Sequence, residues 1–292
     1  MPEIEFLPLV LLEAKGMDAR DFFQGQLTSD LRALREGHAL PAAAADTQGR
    51  VWASFFLWQH GETLCLVTAR ELGAKALTRF SRYLLRSTVS LRLNEEMVFL
   101  GVWGEGAGDF LAALGAEPPH EPWEVKSFAQ GWVIRPLGAK EHFLVAGHGL
   151  EQFLEKAKAP PPAWERILIE EGIAVVREET SEKFLPQMLD YDALGAVSYH
   201  KGCYLGQEVI ARAHFRGEVK RGLCRLVVDA PIPRGARLLT SSGRPVDVVC
   251  AVPENGKTWA LAVSASEAMA ENEAQWHGQQ VALLWQGWAR HP

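Results

Sequence analysis

The sequence predicts an α+β fold of mixed sheets and helices, followed by a C-terminal β-barrel. Up to Gly172, apolar runs of strand length alternate with segments whose apolar residues recur at helical spacing. Beyond Arg221 the chain changes to short apolar runs separated by Pro, Gly and Asn, which is typical of a small barrel. We therefore expect one region over residues 1–220, formed by two intertwined subdomains, and a barrel domain over residues 221–292.

In the first part of the chain, turn residues divide the apolar runs into strands and short helices. Asp18 is placed to cap a helix that contains Phe22 and Phe23, and Thr28 or Ser29 is placed to cap another short helix. Gly49 closes a polar turn between two apolar runs, which predicts two strands joined by that turn. The strands expected here cover Leu7–Leu12, Ala42–Ala45, Val51–Trp58 and Thr63–Val67.

The middle of the chain predicts further helices and strands. From Glu71 to Leu85 the apolar residues recur at helical spacing and basic residues fill the other faces, which predicts a surface helix. Three prolines at 160–162 end a later helix, because proline has no amide proton. The other helices expected cover Asp109–Leu114, Leu150–Lys158 and Ala163–Glu171, and the strands cover Val98–Trp103, Trp132–Pro136 and Phe143–Ala146. The barrel strands are expected at Leu223–Val228, Ala236–Thr240, Val246–Val252, Thr258–Val263 and Gln280–Trp285.

Composition excludes several classes of protein. The chain has 292 residues, 48% of them hydrophobic, and a formal net charge of −6, which argues against wholesale non-specific binding of nucleic acid. Its four cysteines contain no Cys-x-x-Cys pair and no zinc-type spacing with histidine, so we expect no metal site and no disulfide framework. The acidic start of the chain is not followed by a long apolar run, which predicts a cytoplasmic protein without a membrane segment.

The octapeptide from Lys201 to Glu208, Lys-Gly-Cys-Tyr-Leu-Gly-Gln-Glu, is the most informative motif. Its two glycines leave the backbone around Cys203 uncovered, and Lys201 would favour a thiolate, so these two residues are the candidate catalytic groups. The ordinary alternative is a small buried cysteine in a tight loop. The other cysteines lie in apolar strand runs, where inert packing is expected.

Basic residues are concentrated between Tyr199 and Arg225, where the chain has few acidic residues. This cationic strip could attract phosphates or carboxylates, or it could be an ordinary solvated surface. Its members are Lys201, Arg212, Arg216, Lys220, Arg221 and Arg225.

Several motifs together resemble the YgfZ family, over nearly the whole chain. They are the segment Gly16–Asp30, the run Phe184-Leu-Pro-Gln187, the Cys203 octapeptide, the segment Ala211–Gly217 and the pair Lys220-Arg221. That family is related to the aminomethyltransferase of the glycine-cleavage system (the T-protein), binds folate, and is associated with making or repairing iron–sulfur proteins, including those that modify tRNA. The resemblance implies a ring-like fold around a folate site, closed on one side by the barrel, with tetrahydrofolate as the ligand.

With this resemblance, the candidate folate-binding residues are Trp164, Arg166, Glu170, Gln207, Glu208 and Arg212. Trp164 would stack on the pterin, and Glu170 would accept hydrogen bonds from its amino-pyrimidine edge. The ordinary alternatives are helix packing for Trp164 and a simple salt bridge between Arg166 and Glu170. Arg212, like Lys201, could meet the glutamate tail of folate. Gln207 and Glu208 could orient the cysteine loop, or they could simply cap the helix that follows.

Three functions are compatible with the sequence. The first is a folate-binding accessory protein in iron–sulfur cluster assembly or repair, whose partners are iron–sulfur proteins or their assembly factors and whose link to tRNA is indirect. The second is a one-carbon transferase, although Ala53 and Ser54 stand where the resemblance leads us to expect an acidic pair. The third is direct binding of tRNA by the strip from Arg212 to Arg225. Whether the chain is an enzyme stays open.

Overall fold

The computed structural model describes residues 1–85, 87–138, 140–156, 162–217 and 220–289. The α-helices are α1 (Ala19–Gln24), α2 (Arg70–Ser81), α3 (Ala107–Ala113), α4 (Ala163–Glu170) and α5 (Gln207–Phe215). Short 3-10 helices cover Leu31–Ala33, Glu151–Lys156, Glu178–Thr180, Pro186–Leu189 and Ser266–Ala270. The strands are β1 (Glu3–Phe6), β2 (Leu9–Lys15), β3 (Leu40–Ala45), β4 (Val51–His60), β5 (Thr63–Ala69), β6 (Ser90–Asn94), β7 (Val98–Trp103), β8 (Val125–Phe128), β9 (Gly131–Ile134), β10 (His142–Gly147), β11 (Arg221–Val228), β12 (Arg237–Thr240), β13 (Pro245–Glu254), β14 (Lys257–Ala265), β15 (Glu273–Trp276) and β16 (Gln279–Trp288).

Two five-stranded sheets share the first part of the chain. One has the strand order β3-β4-β5-β2-β6 and the other has the order β1-β7-β10-β9-β8. The chain therefore begins in the second sheet with β1 and crosses at once to the first sheet with β2, which ties the two sheets together at the N-terminus. In the first sheet, α2 covers one face with its buried residues Leu72, Ala76 and Phe80.

The last part of the chain is a closed barrel with the strand order β11-β14-β13-β12-β15-β16. All its pairings are antiparallel, and β11 pairs with both β14 and β16, which closes the ring. Closure removes exposed sheet edges. The predicted α+β class with a C-terminal barrel is confirmed.

Most predicted elements agree with the structure, and the differences are local. The turn at Asp46–Gly49 joins β3 to β4 as expected. The prediction that Thr28 or Ser29 caps a short helix is wrong: Asp30 caps it, and both hydroxyls instead donate to the carbonyl oxygen of Ala196. The predicted helix Leu150–Lys158 is a 3-10 helix, and its last residues, like the first two prolines of the triple-proline run, lie outside the described residues.

None of the helices in the described ranges is both long and apolar enough to cross a lipid bilayer.

Candidate functional site

A central cavity of about 390 Å³ lies where both sheets, α4 and the barrel meet. Its walls are mainly apolar: Leu7, Phe55, Phe56, Leu144 and Leu168 line it. Volumes of roughly 300–1,000 Å³ with apolar walls and a few polar groups are usual for small-molecule sites. The cavity is therefore large enough to enclose part of a small organic ligand.

Two buried polar side chains, Thr68 and Glu5, line this cavity, and the first of them has no hydrogen-bond partner in the described part of the chain. The Thr68 hydroxyl is buried, with 2% of the residue exposed, and has no hydrogen-bond partner among the described residues. The Glu5 carboxylate accepts the backbone N–H of Trp164 at 2.6 Å. Burial raises the pKa of Glu5, although that backbone hydrogen bond opposes the shift. Because a buried polar group without a partner costs free energy, Thr68 is suited to meet a ligand, and the Glu5 carboxylate retains acceptor capacity beyond its backbone hydrogen bond.

The other carboxylates in the cavity already have cationic partners. Glu165 accepts from the guanidinium of Arg234 at 2.8 and 2.6 Å. Glu71 lies 3.4 Å from the guanidinium of Arg177. Within the described ranges, Glu5 is the carboxylate of this cavity that forms no ion pair. It therefore remains free to accept from a neutral or cationic donor.

Trp164 lines the central cavity, as expected of a stacking residue, but most of its surface is already covered. It is 7% exposed, and its indole packs against Trp103 and His142, with ring centroids 6.0 and 5.3 Å apart. A Cβ atom at Gly101 would overlap the indole, so the backbone there lies directly against the ring. Trp164 thus contributes a wall whose orientation is fixed by packing.

Arg166 and Glu170 lie on the opposite side of α4. Both line a separate cleft of about 890 Å³, together with the β13–β14 turn. Glu170 forms ion pairs with Lys140 and Arg166, and these two cations hold its pKa below the usual range despite the opposing effect of burial. The Arg166 guanidinium stacks on Trp259 at 3.3 Å. Six residues of helix turn Glu170 away from the side of α4 that bears Trp164, so the two residues line different cavities, and the role of Glu170 toward the pterin stays a prediction.

The cysteine loop, which we define as residues 200–206, leaves its thiol accessible. Cys203 is free and exposed, whereas Cys65, Cys224 and Cys250 are free and buried. Gly206 has φ +82° and begins α5, and a Cβ atom there would overlap the carbonyl oxygen of Asp46 in the β3–β4 turn. Cys203 does not line the central cavity.

Lys201 is an anchor of this loop. It is only 6% exposed, and its ammonium donates to the carbonyl oxygens of Leu27 and Ser29 at 2.9 and 2.6 Å. Its Nζ also lies 5.0 Å from the centre of the Tyr204 ring. These contacts replace the expected contact with a ligand tail, because the ammonium is turned into the protein.

The titration of Lys201 gives a test of this burial. Burial lowers its pKa to about 8, so between pH 8 and 9 the unfolded chain retains a proton that the folded chain loses, and folding gains stability. Burial raises the pKa of Cys65, Cys224 and Cys250 to about 12, so the unfolded thiols ionise first and folding loses stability. Each effect is about 1 kcal/mol over this interval.

We therefore expect the free energy of unfolding of Lys201→Met to fall by about 1 kcal/mol relative to that of the unchanged protein between pH 8 and 9, because the variant lacks the gain from Lys201. Urea denaturation at a series of pH values measures both slopes. Equal slopes in the two proteins would show that Lys201 is not buried as a cation.

Two of the six members of the cationic strip, Arg212 and Arg221, form ion pairs in the described part of the chain. Arg221 forms an ion pair with Asp247, and Arg225 donates to the carbonyl oxygen of Glu170 at 2.6 Å. Arg212 pairs with Glu208 on the surface of α5, at 2.8 Å. Gln207 and Glu208 are the first residues of α5 and do not line the central cavity. The structure therefore divides the predicted site residues among the cavity, the far side of α4 and the cysteine loop.

Among the described residues, no group of three or more His, Cys, Asp or Glu side chains is arranged to hold a metal ion.

Comparisons with known proteins identify the family. No family model matches the chain. The tRNA-modifying protein YgfZ of Shigella boydii serotype 4 is 34% identical over 224 residues, which are 74% of this chain and 68% of that protein. The chain belongs to the YgfZ family. The protein of the same name from Pectobacterium carotovorum is 29% identical over 271 residues, 88% of this chain and 81% of the relative.

A solved structure supports the same relationship at the level of the fold. The glycine cleavage system aminomethyltransferase T from Bartonella henselae matches with a TM-score of 0.77, covering 97% of this chain and 84% of that one. Its sequence identity of 16% shows the fold alone. The predicted resemblance to the YgfZ family and the predicted aminomethyltransferase-type fold are both confirmed.

Sequence reasoning missed several cavity residues of this YgfZ-family chain. Glu5 lies near the N-terminus in β1, a strand that the sequence does not predict, and Thr68 lies one residue beyond the strand predicted at Thr63–Val67. Arg234 lies in a barrel loop. A single polar residue within an apolar strand gives a weak signal, because its surroundings depend on which sheets meet there.

Proposed function

We propose that this chain binds tetrahydrofolate in the central cavity and uses Cys203 in the assembly or repair of iron–sulfur clusters, supporting tRNA modification indirectly. The observation that carries the folate assignment is that Glu5, which forms no ion pair in the described part of the chain, and Thr68, whose hydroxyl has no partner there, lie together in a mainly apolar cavity. The relatives' name, tRNA-modifying protein YgfZ, supports the link to tRNA. The paired arginines of the cationic strip favour an indirect link over a direct one.

The cavity residues fit a pterin. An amino-pyrimidine edge offers two neighbouring N–H groups, and a carboxylate accepts such a pair with both oxygens. Glu5 has this capacity because it forms no ion pair in the described part of the chain. Thr68 can donate to or accept from a ring heteroatom. Phe55, Phe56 and Trp164 provide flat apolar walls. Tetrahydrofolate would supply a carrier of one-carbon units. A binding role does not require that these units be transferred.

The geometry favours a binding role over one-carbon transfer. Ala53 is fully buried, and the Ser54 hydroxyl accepts the backbone N–H of Val176 at 3.1 Å, so neither supplies an acid. The transferase alternative has one supporting observation: Glu5 has a raised pKa, which suits a proton donor. An assay for folate-dependent aminomethyl or formaldehyde transfer, run on wild type and Glu5→Gln, separates the two. One-carbon transfer by wild type that is lost in Glu5→Gln would favour the transferase alternative.

Folate binding can be tested by titrating tetrahydrofolate while following tryptophan fluorescence. Trp164 should be quenched, and Trp164→Phe should remove that part of the signal from the ten tryptophans. We expect Glu5→Gln to weaken affinity about 10- to 100-fold, because a charged hydrogen bond contributes about 1.5–3 kcal/mol. Thr68→Val should weaken it less, by about tenfold. Affinity should also rise with pH as Glu5 ionises, since only the carboxylate accepts both N–H groups.

The matched control is Glu170→Gln, which changes the same functional group on the other side of α4. It should leave tetrahydrofolate affinity unchanged. If Glu170→Gln abolished binding while Glu5→Gln did not, the ligand would occupy the second cleft and the assignment of the central cavity would fail.

A further inference from the structure

Three side chains from separate segments meet beside the cysteine loop. The Tyr199 hydroxyl donates to the Asp192 carboxylate and lies 2.8 Å from both of its oxygens. The Tyr199 ring stacks on the His214 imidazole, with ring centroids 3.8 Å apart and planes 15° apart. Nδ1 of His214 lies 3.9 Å from the same carboxylate. We call Asp192, Tyr199 and His214 the tyrosine clamp.

Gln187 extends the tyrosine clamp into the body of the protein. Its amide nitrogen donates to the Tyr199 hydroxyl at 3.1 Å and to the carbonyl oxygen of Ile210 in α5 at 2.8 Å. One hydroxyl, that of Tyr199, therefore joins the 3-10 helix Pro186–Leu189, the turn containing Asp192 and the segment that enters the cysteine loop. The ring stack adds α5, so four pieces of chain converge on Tyr199.

The tyrosine clamp lies at the N-terminal end of the cysteine loop, whose central residues are exposed to solvent. Gly202 and Cys203 are both exposed, while Lys201 and Tyr204 on either side are buried. The direction in which the thiol points is therefore set by the anchors of the loop. Lys201 and Gly206 are two of these anchors, and Tyr199 is the one at the N-terminal side.

We infer that Tyr199, held by Asp192, Gln187 and His214, is a positioning residue for the exposed thiol of Cys203. A phenol that donates to a carboxylate makes a strong, directional hydrogen bond, and the stacked imidazole fixes the plane of the ring. The inference rests on the proposed role of Cys203 for its biological meaning. The effect of Tyr199 on the order of the cysteine loop does not depend on folate or on any partner.

The test compares Tyr199→Phe with Tyr191→Phe. Tyr199→Phe keeps the ring and its stack but removes the hydroxyl. Tyr191→Phe is the matched control, because it removes a buried hydroxyl that donates to the carbonyl oxygen of Ala174 at 2.9 Å and not to a member of the tyrosine clamp. Hydrogen exchange of residues 200–206 is measured on the full chain. A nitroxide spin label on Cys203, the exposed cysteine, reports the mobility of the thiol itself.

We expect exchange of the cysteine loop to rise about tenfold in Tyr199→Phe, with a more mobile spin-label spectrum, while exchange in the barrel strands stays unchanged. Tyr191→Phe should alter neither loop signal.

If Tyr199→Phe does not fold, Asp192→Asn, which keeps one acceptor oxygen, should give the same loop response in smaller measure. Unchanged loop exchange and an unchanged label spectrum in the folded variant would overturn the inference. Tetrahydrofolate affinity of Tyr199→Phe should equal that of wild type, so failure of the folate assignment would be seen separately.

Discussion

Replacing Cys203 with alanine should reduce complementation to the level of an empty vector in an Escherichia coli strain that lacks its own tRNA-modifying protein YgfZ. The thiol is exposed and contributes nothing to the buried core, so its loss should leave the melting temperature within about 2 °C of wild type. Tetrahydrofolate affinity should also be unchanged, because Cys203 does not line the central cavity. The readouts are the level of modified tRNA nucleosides and the activity of an iron–sulfur enzyme.

Cys65→Ala is the control for this experiment. Cys65 is buried in β5, so its replacement removes a thiol and costs some packing but should keep full complementation. Normal levels of modified nucleosides with Cys203→Ala would remove the thiol from the proposed function. Loss of tetrahydrofolate binding in the same variant would instead show that the cysteine loop and the cavity are coupled.

The fold could be predicted from the sequence wherever the hydrophobic pattern is strong. Strand β4, with its run of large apolar residues, and helix α2, with its regular apolar stripe, were both expected. Strands β6 and β15 were missed because they read Ser-Leu-Arg-Leu-Asn and Glu-Ala-Gln-Trp, which carry few apolar residues. Such strands exist because neighbouring strands satisfy their backbone groups, and a single sequence does not reveal that pairing.

The candidate site was harder to predict, for two different reasons. The separation of Trp164 from Glu170 follows from helical geometry, since six residues at about 100° each place them well over a right angle apart, so the sequence did contain that information. The roles of Glu5 and Thr68 did not follow from local patterns. They face one cavity only because β1 pairs with β7 in one sheet while β5 belongs to the other.

The ion pair between Glu165 and Arg234 should be the largest single electrostatic contribution to the contact between α4 and the barrel. Both side chains are largely buried, with exposures of 14% and 21%, and the guanidinium contacts both carboxylate oxygens. Arg234→Met would leave Glu165 close to Glu5, and among the described residues its remaining donor would be the backbone N–H of Ala251 at 3.4 Å. We expect this variant to lose about 2–4 kcal/mol of unfolding free energy, because an unpaired buried charge is costly.

The double variant Arg234→Met with Glu165→Gln should recover most of that loss, because it removes the unpaired charge instead of the attraction alone. Arg237→Met is the matched control: its partner Asp247 keeps a second arginine, Arg221, and Arg237 is exposed, so the loss should stay below about 1 kcal/mol. Urea denaturation of wild type, Arg234→Met, Glu165→Gln, the double variant and Arg237→Met measures these differences and completes the double-mutant cycle. If the losses of unfolding free energy in the two single variants add up in the double variant, the two side chains do not interact. Recovery of unfolding free energy in the double variant would establish that the ion pair, and not the mere presence of charges, holds α4 against the barrel.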